Sequence, residues 1–524
     1  MLIRNNNEQM KVEAFTGCQA IPCGERRDSF PVVVSVTAPQ LSEEETRLAG
    51  VDVVAVLDIS TSMKGDRLKH MKEAMKAVVG KLGGNDRLAI VSFNAKVEHV
   101  LELTRMGDDK ACRDAMDKID ELKVEDKEEI WGALEAGAKI LQGRADRERQ
   151  SRLGCMMFVS DSDSEESYGR IRDKDVSDEF PVYTFGLGSG HHCRLMRYIA
   201  DCTHGTYSFV NQDTSKIKDA LVSFIERLKP VAARSVEITV EASDRVTISK
   251  ARCSGYYDKE ESKMEDGEKK LVKIVIPNMS ACETKSVVVH LTVEEAGKDD
   301  ISDSRLVTVR GSYQTTTVME SSTTTTQELV TIDGVSAESE RHELAVSVLR
   351  RRSCSRRQLI MCRQVAAELA WMELEKEVKL MVAQDNYHPT CKDELQKLLD
   401  KMTAADAGGT IWSEFGKDVV EKLISTHVVK MMEGIDKADE HAKLGLPYML
   451  SWLTCCKWQR QTWVDSGCIP PPVEVEYAVG TGLIATACAW GKDLIVGKPW
   501  LSCVALLLAA VALLLYFAVA GQQG

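Results

Sequence analysis

Asp58, Ser60 and Ser62 stand two residues apart in VAVLDISTSMKG (54–65), directly after an apolar run that reads as a buried strand. One carboxylate and two hydroxyls at that spacing, carried round a tight turn, offer hard oxygen donors to one side of a small site. That is the chemistry of a divalent cation such as Mg²⁺ or Mn²⁺, which takes oxygen ligands and keeps several waters. A second carboxylate, Asp161, closes another apolar run, GCMMFVSD (154–161). A plainer reading stays open beside this one: Asp58, Ser60 and Ser62 cap the turn and the helix that follow.

Two carboxylates so far apart in sequence can meet only if the strands that end on them lie in one sheet. Residues 51–230 alternate strand and helix signals. VDVVAVLD is followed by a helical stretch in which Leu68, Met71, Met75, Val78, Val79 and Leu82 recur every three or four residues. Strands are predicted at 87–93, 154–161, 181–188 and 206–210, with helices near 109–122 and 131–142 and others from Cys193 and after 213. Such alternation implies a largely parallel sheet covered by helices on both faces, in which ligands bind at the carboxyl ends of the strands. Asp58 and Asp161 both fall at that edge.

Period-two segments flank this α/β region: KVEAF and FPVVVSVTAP before it, SVEITVEA, RVTIS, KKLVKIVIP and KSVVVHLTVEEA after it. They predict antiparallel strands of one β-sandwich, with 1–49 and 231–313 joining across the α/β region of 50–230, which is thereby an insertion. A Thr/Ser-rich linker is expected at 314–336, a helical region at 337–470, a second linker at 471–498 and a transmembrane tail anchor at 499–520. The uncharged run LSCVALLLAAVALLLYFAVA (501–520) is long enough, as a helix, to cross the roughly 30 Å hydrocarbon layer. Lys492 and Lys498 on its amino-terminal side put the bulk of the chain in the cytosol, on the endoplasmic reticulum or another endomembrane.

The 524 residues imply several domains, and a formal net charge of −13 argues against nucleic acid as a partner. The polar start carries no secretory signal, so the 16 cysteines are expected to be mostly free thiols. His191, His192, Cys193, Cys202 and His204 lie close in sequence but lack a CxxC spacing, and packed or surface roles suit them better than zinc. The chain contains no GxSxG, HExxH or P-loop motif, so no catalytic residue is assigned and the chain is read as a non-enzyme.

With these residues in view, 51–230 resembles a von Willebrand factor A (VWA) domain. DISTS (58–62) matches that family's metal-ion-dependent adhesion site, SDSD (160–163) resembles its second loop, and PVYTFGLGSGHH its next strand and loop. The resemblance implies a metal set of Asp58, Ser60, Ser62 and Asp161, and a protein partner whose acidic residue completes the cation's shell. Glu128 stands where the family usually has a threonine, which adds a carboxylate and weakens the attraction for an acidic ligand. GLPYMLSWLTCCKWQRQTW (445–463) is similar to the Vwaint element of plant proteins related to inter-alpha-trypsin-inhibitor heavy chains, matching at Gly445, Tyr448, Met449, Leu450, Ser451, Trp458, Gln459 and Arg460. Here TCCK replaces an SSHS turn. Some relatives begin with a zinc-binding RING finger and are ubiquitin ligases. A RING needs eight Cys or His ligands, and only Cys18 and Cys23 precede the A domain, which implies a RING-less member. The expected function is membrane-anchored protein interaction, as adhesion or scaffold; the alternative is a subunit or substrate adaptor related to VWA-containing E3 ubiquitin ligases.

Overall fold

The computed structural model describes residues 10–16, 26–124, 130–145, 148, 152–172, 178–211, 213–228, 230–252, 270–295, 305–315, 323–324, 330–333, 356–383, 391–403, 427–435, 444–464 and 467–469. The chain opens with strands β1 (Lys11–Thr16) and β2 (Arg27–Thr37) and a short helix, α1 (Glu43–Ala49). The α/β region follows as β3 (Val51–Asp58), α2 (Asp66–Val79), β4 (Arg87–Phe93), β5 (Val97–Arg105), α3 (Asp109–Glu121) and α4 (Ile130–Gln142). It continues through β6 (Leu153–Ser160), α5 (Glu165–Arg172), β7 (Val182–Leu187), α6 (Cys193–Cys202), β8 (Tyr207–Val210) and α7 (Ile217–Arg227). Then come β9 (Val231–Ala242), β10 (Val246–Arg252), β11 (Leu271–Ser280), β12 (Thr284–Val293), β13 (Arg305–Thr315), β14 (Thr323–Thr324) and β15 (Val330–Asp333). Helices α8 (Arg356–Ala383), α9 (Cys391–Thr403) and α10 (Leu446–Trp458) lead to a hairpin of β16 (Thr462–Val464) and β17 (Gly467–Ile469).

The central sheet has the order β17-β16-β8-β7-β6-β3-β4-β5. Its middle is parallel, and β5 runs antiparallel to β4 at one edge. Strand β3 is buried along its whole length, and its side chains alternate between two cores. Val54 and Val56 face a cluster that includes α4, α6 and α10, whereas Val53, Ala55 and Leu57 face one built on α2, α3 and α7. Met71, Met75, Val78 and Val79, the apolar stripe of α2, lie against the second.

An aspartate marks each end of β3. Asp52, at the amino end, accepts hydrogen bonds from Arg87, Arg144 and Arg152 at 2.7–2.8 Å. Burial pushes its carboxyl up, but the three guanidinium groups outweigh burial and hold it at about 2. Asp58, at the carboxyl end, has no such escort among the described residues.

The flanking strands form two antiparallel sheets, β1-β2-β12-β10 and β11-β9-β13-β14, with β15 beside β13. Strand β2 precedes the α/β region and β12 follows it, yet they pair over nearly their full length, with Val34 opposite Val287. Val32, Val34, Val36, Val236, Ile238, Val240, Ile274 and Val309 bury their side chains in one cluster that draws on both sheets. Part of the Thr/Ser-rich stretch forms β14, which pairs with β13.

Segment 444–464 ties the layers together. Helix α10 is buried nearly all round, because it is clasped between α6, α8 and β8. Ser451 donates to the carbonyl of Tyr207 at 2.8 Å, and the Tyr207 amide donates to Thr454 Oγ1 at 3.1 Å. Trp452 stacks on Trp371 of α8 with ring centroids 4.7 Å apart. The chain then turns at Gln459, whose φ of 48° is left-handed, and its side-chain amide exchanges two 2.6 Å hydrogen bonds with the backbone of Ser286 on β12. Among the described residues no helix is long and apolar enough to cross a membrane. The expected transmembrane segment at 499–520 lies outside the described residues, as do Glu128, most of 314–336 and all of 471–498.

Candidate functional site at the carboxyl edge of the sheet

The site begins where β3 stops. After Asp58 the Ile59 amide still bonds to the Phe93 carbonyl, and residues 61–63 then make one 3₁₀ turn that buries Met63. Gly65, with φ of 89°, reverses the chain into α2, a conformation that favours glycine. The serines are not spent on capping. Ser60 occupies the N-cap of the 3₁₀ turn without a side-chain cap bond, and the residue before α2 is Gly65. Their hydroxyls instead lie 3.0 Å from each other.

Asp161 enters from the end of β6, three strand positions on in sequence order but the neighbour of β3 in the sheet. Ser62 Oγ donates to Asp161 Oδ1 at 2.6 Å, which joins the two loops directly. Asp58 is fully buried, accepts from the Ser60 amide at 2.8 Å and from Ser160 Oγ at 2.5 Å, and faces the Asp161 charge. Burial raises its carboxyl from 3.8 to about 6, against the opposing effect of those hydrogen bonds.

Arg67, in the first turn of α2, reaches back over the same edge. Its guanidinium pairs with Asp161 Oδ2 and also donates to the Ser62 carbonyl at 3.3 Å. The Asp161 carboxylate is fully enclosed, whereas 38% of the arginine side chain is exposed. Gly188, at the end of β7 with φ of 75°, leaves the guanidinium its space: a Cβ there would stand 2.9 Å from Arg67 Nη2. Arg67 stands five residues after the end of DISTS, a position that the apolar periodicity of α2 does not mark.

The histidines nearby serve the fold. His191 Nδ1 donates to the Gly188 carbonyl at 2.6 Å, so its Nε2 accepts from the Tyr207 hydroxyl at 2.5 Å. Burial holds His191 down to about 4 and pushes the Tyr207 phenol up. His192 caps α6 through Nδ1 and donates from Nε2 to Glu165. Among the described residues no three His, Cys, Asp or Glu side chains converge to hold a metal ion. Asp58 and Asp161 contribute two carboxylates, and Ser60, Ser62 and Ser160 contribute hydroxyls beside them. Such a donor set suits a hard cation by its chemistry, with the Arg67 charge standing at the same carboxylate.

Residues 52–223 match the family model of the von Willebrand factor type A domain. The chain contains a VWA domain. Its sequence is similar to E3 ubiquitin-protein ligase WAV3 of Arabidopsis thaliana, 27% identical over 184 residues that cover 32% of this chain and 24% of the relative. It is also similar to inter-alpha-trypsin inhibitor heavy chain H1 of Bos taurus, 22% identical over 216 residues covering 40% of this chain and 24% of the relative. Each match thus spans about a quarter of the relative's length. The fold resembles that of a von Willebrand factor type A protein from Catenulispora acidiphila, with a TM-score of 0.54, 15% identity and coverage of 86% of this chain and 98% of the other. The fold likeness therefore extends beyond the VWA domain.

Proposed function

We propose that this protein is a membrane-anchored adhesion or scaffold protein that holds a protein partner at the carboxyl edge of its VWA sheet. The convergence of the DISTS turn with Asp161 carries this reading, because two loops distant in sequence present oxygen groups on one face through the Ser62–Asp161 hydrogen bond. Asp58, Ser60, Ser62 and Asp161 are the residues that would hold Mg²⁺ or Mn²⁺, with Glu128 as a further carboxylate. A bound cation would supply an acceptor for an acidic side chain of the partner. We read the flanking sheets as a β-sandwich into which the VWA domain is inserted, supported by the pairing of β2 with β12 and by their common core. Anchoring through 499–520, with the bulk in the cytosol at an endomembrane, rests on the uncharged run there.

A second reading draws on the similarity to WAV3, which is named as an E3 ubiquitin ligase. A RING-less relative from the same plant group would act as a subunit or substrate adaptor and leave the zinc chemistry to another chain. Affinity purification of the full chain beside an Asp58→Ala/Ser60→Ala variant tests both. The first reading expects specific partners lost from a variant that still unfolds cooperatively; partners unaffected by the substitutions would move the interaction to another surface. Enrichment of ubiquitin machinery, with slower substrate turnover when the chain is deleted, would favour the second.

A further inference from the structure

We infer that Arg67 is the resident cation of the VWA edge: its guanidinium takes the electrostatic place of a divalent ion at Asp161, and metal enters only when Arg67 leaves. This deepens the proposed metal-dependent reading and rests on it.

Asp161 is fully enclosed and carries a charge that must be compensated. A buried carboxylate deprived of its partner is strongly destabilising, so some positive group has to stand there. The described neighbours of Asp161 supply a hydroxyl from Ser62 and the guanidinium of Arg67. The arginine is held on three sides. It pairs with Asp161, donates to the Ser62 carbonyl and lies in the space left by the missing Cβ of Gly188. It thereby fixes the DISTS turn to the β6 loop, as an ion bridging the same loops would. A divalent cation beside Asp161 and the Arg67 guanidinium would repel each other at contact distance, so the two states exclude one another. The partly exposed arginine can swing into solvent, whereas the enclosed carboxylate cannot. The edge thus has a closed form locked by its own side chain and an open form that divalent metal must win from it.

Thermal unfolding of the full chain in mild detergent, with EDTA or with millimolar Mg²⁺, tests this on the parent, Arg67→Met and Arg67→Met/Asp161→Asn. The parent is expected to shift by less than about 1 °C between the two conditions. Arg67→Met is expected to melt roughly 5 °C lower in EDTA and to recover most of that loss in Mg²⁺. The double variant, with no buried charge to compensate, is expected to melt near the parent and to ignore Mg²⁺. Equal Mg²⁺ shifts in the parent and Arg67→Met would overturn the inference while leaving the metal reading standing. A destabilised Arg67→Met that ignores Mg²⁺ would remove the metal reading together with the inference. If Arg67→Met does not fold, the double variant decides: parent-like melting supports the role of the arginine as counter-charge, and failure to fold refutes it.

Discussion

Asp58 is an acid whose burial makes its charge costly in the folded state. Its carboxyl rises to about 6, so the folded chain binds this proton more tightly than the unfolded chain does. Asp58 therefore costs no stability below about pH 4, costs progressively more as pH rises to about 6, and above that imposes a constant penalty on the order of 3 kcal/mol. Asp52 and Glu283 have the opposite sign: both are held at about 2, so their stabilisation is full above the ordinary carboxylate range and fades as pH falls toward 2. In EDTA, Asp58→Asn is expected to be more stable than the parent at pH 7.5, with the advantage shrinking to nothing near pH 4. Urea unfolding across that range measures it, and a difference independent of pH would disprove the assignment. Asp58, Ser60, Ser62 and Asp161 were legible in the sequence because strand ends point to one edge whatever the loops do. Arg67 and Ser160 were not, since their roles depend on which loop folds over which, and no spacing rule encodes that.

At the scale of elements, the joint between α10 and β12 shows what periodicity could not reach. Helix α10 is enclosed on nearly every side, so it has no polar stripe to betray its orientation, and only the resemblance at 445–463 singled it out. Strand β5 escaped for the opposite reason: VEHVLELTR is an exposed edge strand whose charges blur the alternation. The α/β core was easier to read, because fully buried parallel strands leave long apolar runs and α2 leaves a clean stripe. The joint itself is polar. Lys285 is almost fully enclosed, donates to the Trp458 carbonyl at 2.6 Å and pairs with Glu283 at 2.7 Å, while Arg460 reaches Glu283 at 3.2 Å and the His204 carbonyl at 3.0 Å. Burial pushes Glu283 up, and Lys285 and Arg460 more than reverse it. Lys285→Met is accordingly expected to cost roughly 2–3 kcal/mol, since it leaves the largely enclosed Glu283 carboxylate with Arg460 alone and takes the donor from the Trp458 carbonyl. Glu283→Gln in the same chain should recover a large part of that loss. A double-mutant cycle by urea unfolding decides the matter, and purely additive losses would mean the two groups do not act as a pair.

For the whole molecule, these joints imply that the VWA domain and the two flanking sheets unfold together. Strand β16 extends the VWA sheet beside β8, and three residues before it begins the same segment clasps β12 through Gln459. A helix and hairpin late in the chain thus close a structure begun by β1 and β2. Contacts divide the chain into one unit up to Val473 and another from Glu474, and the buried clusters of the described residues all belong to the first. The run at 501–520 lies outside the described residues, and its composition suits hydrocarbon. Folding stability and membrane attachment should therefore separate. Removing 499–524 is expected to move the protein from the membrane pellet to the supernatant of an alkaline carbonate wash, and to leave its melting temperature within about 1 °C of the parent in the same detergent. Retention in the pellet would place the membrane contact elsewhere, on a surface of the folded unit. Release accompanied by a large fall in melting temperature would mean that the apolar run packs against that unit, and the tail-anchor reading would then give way to a buried helix.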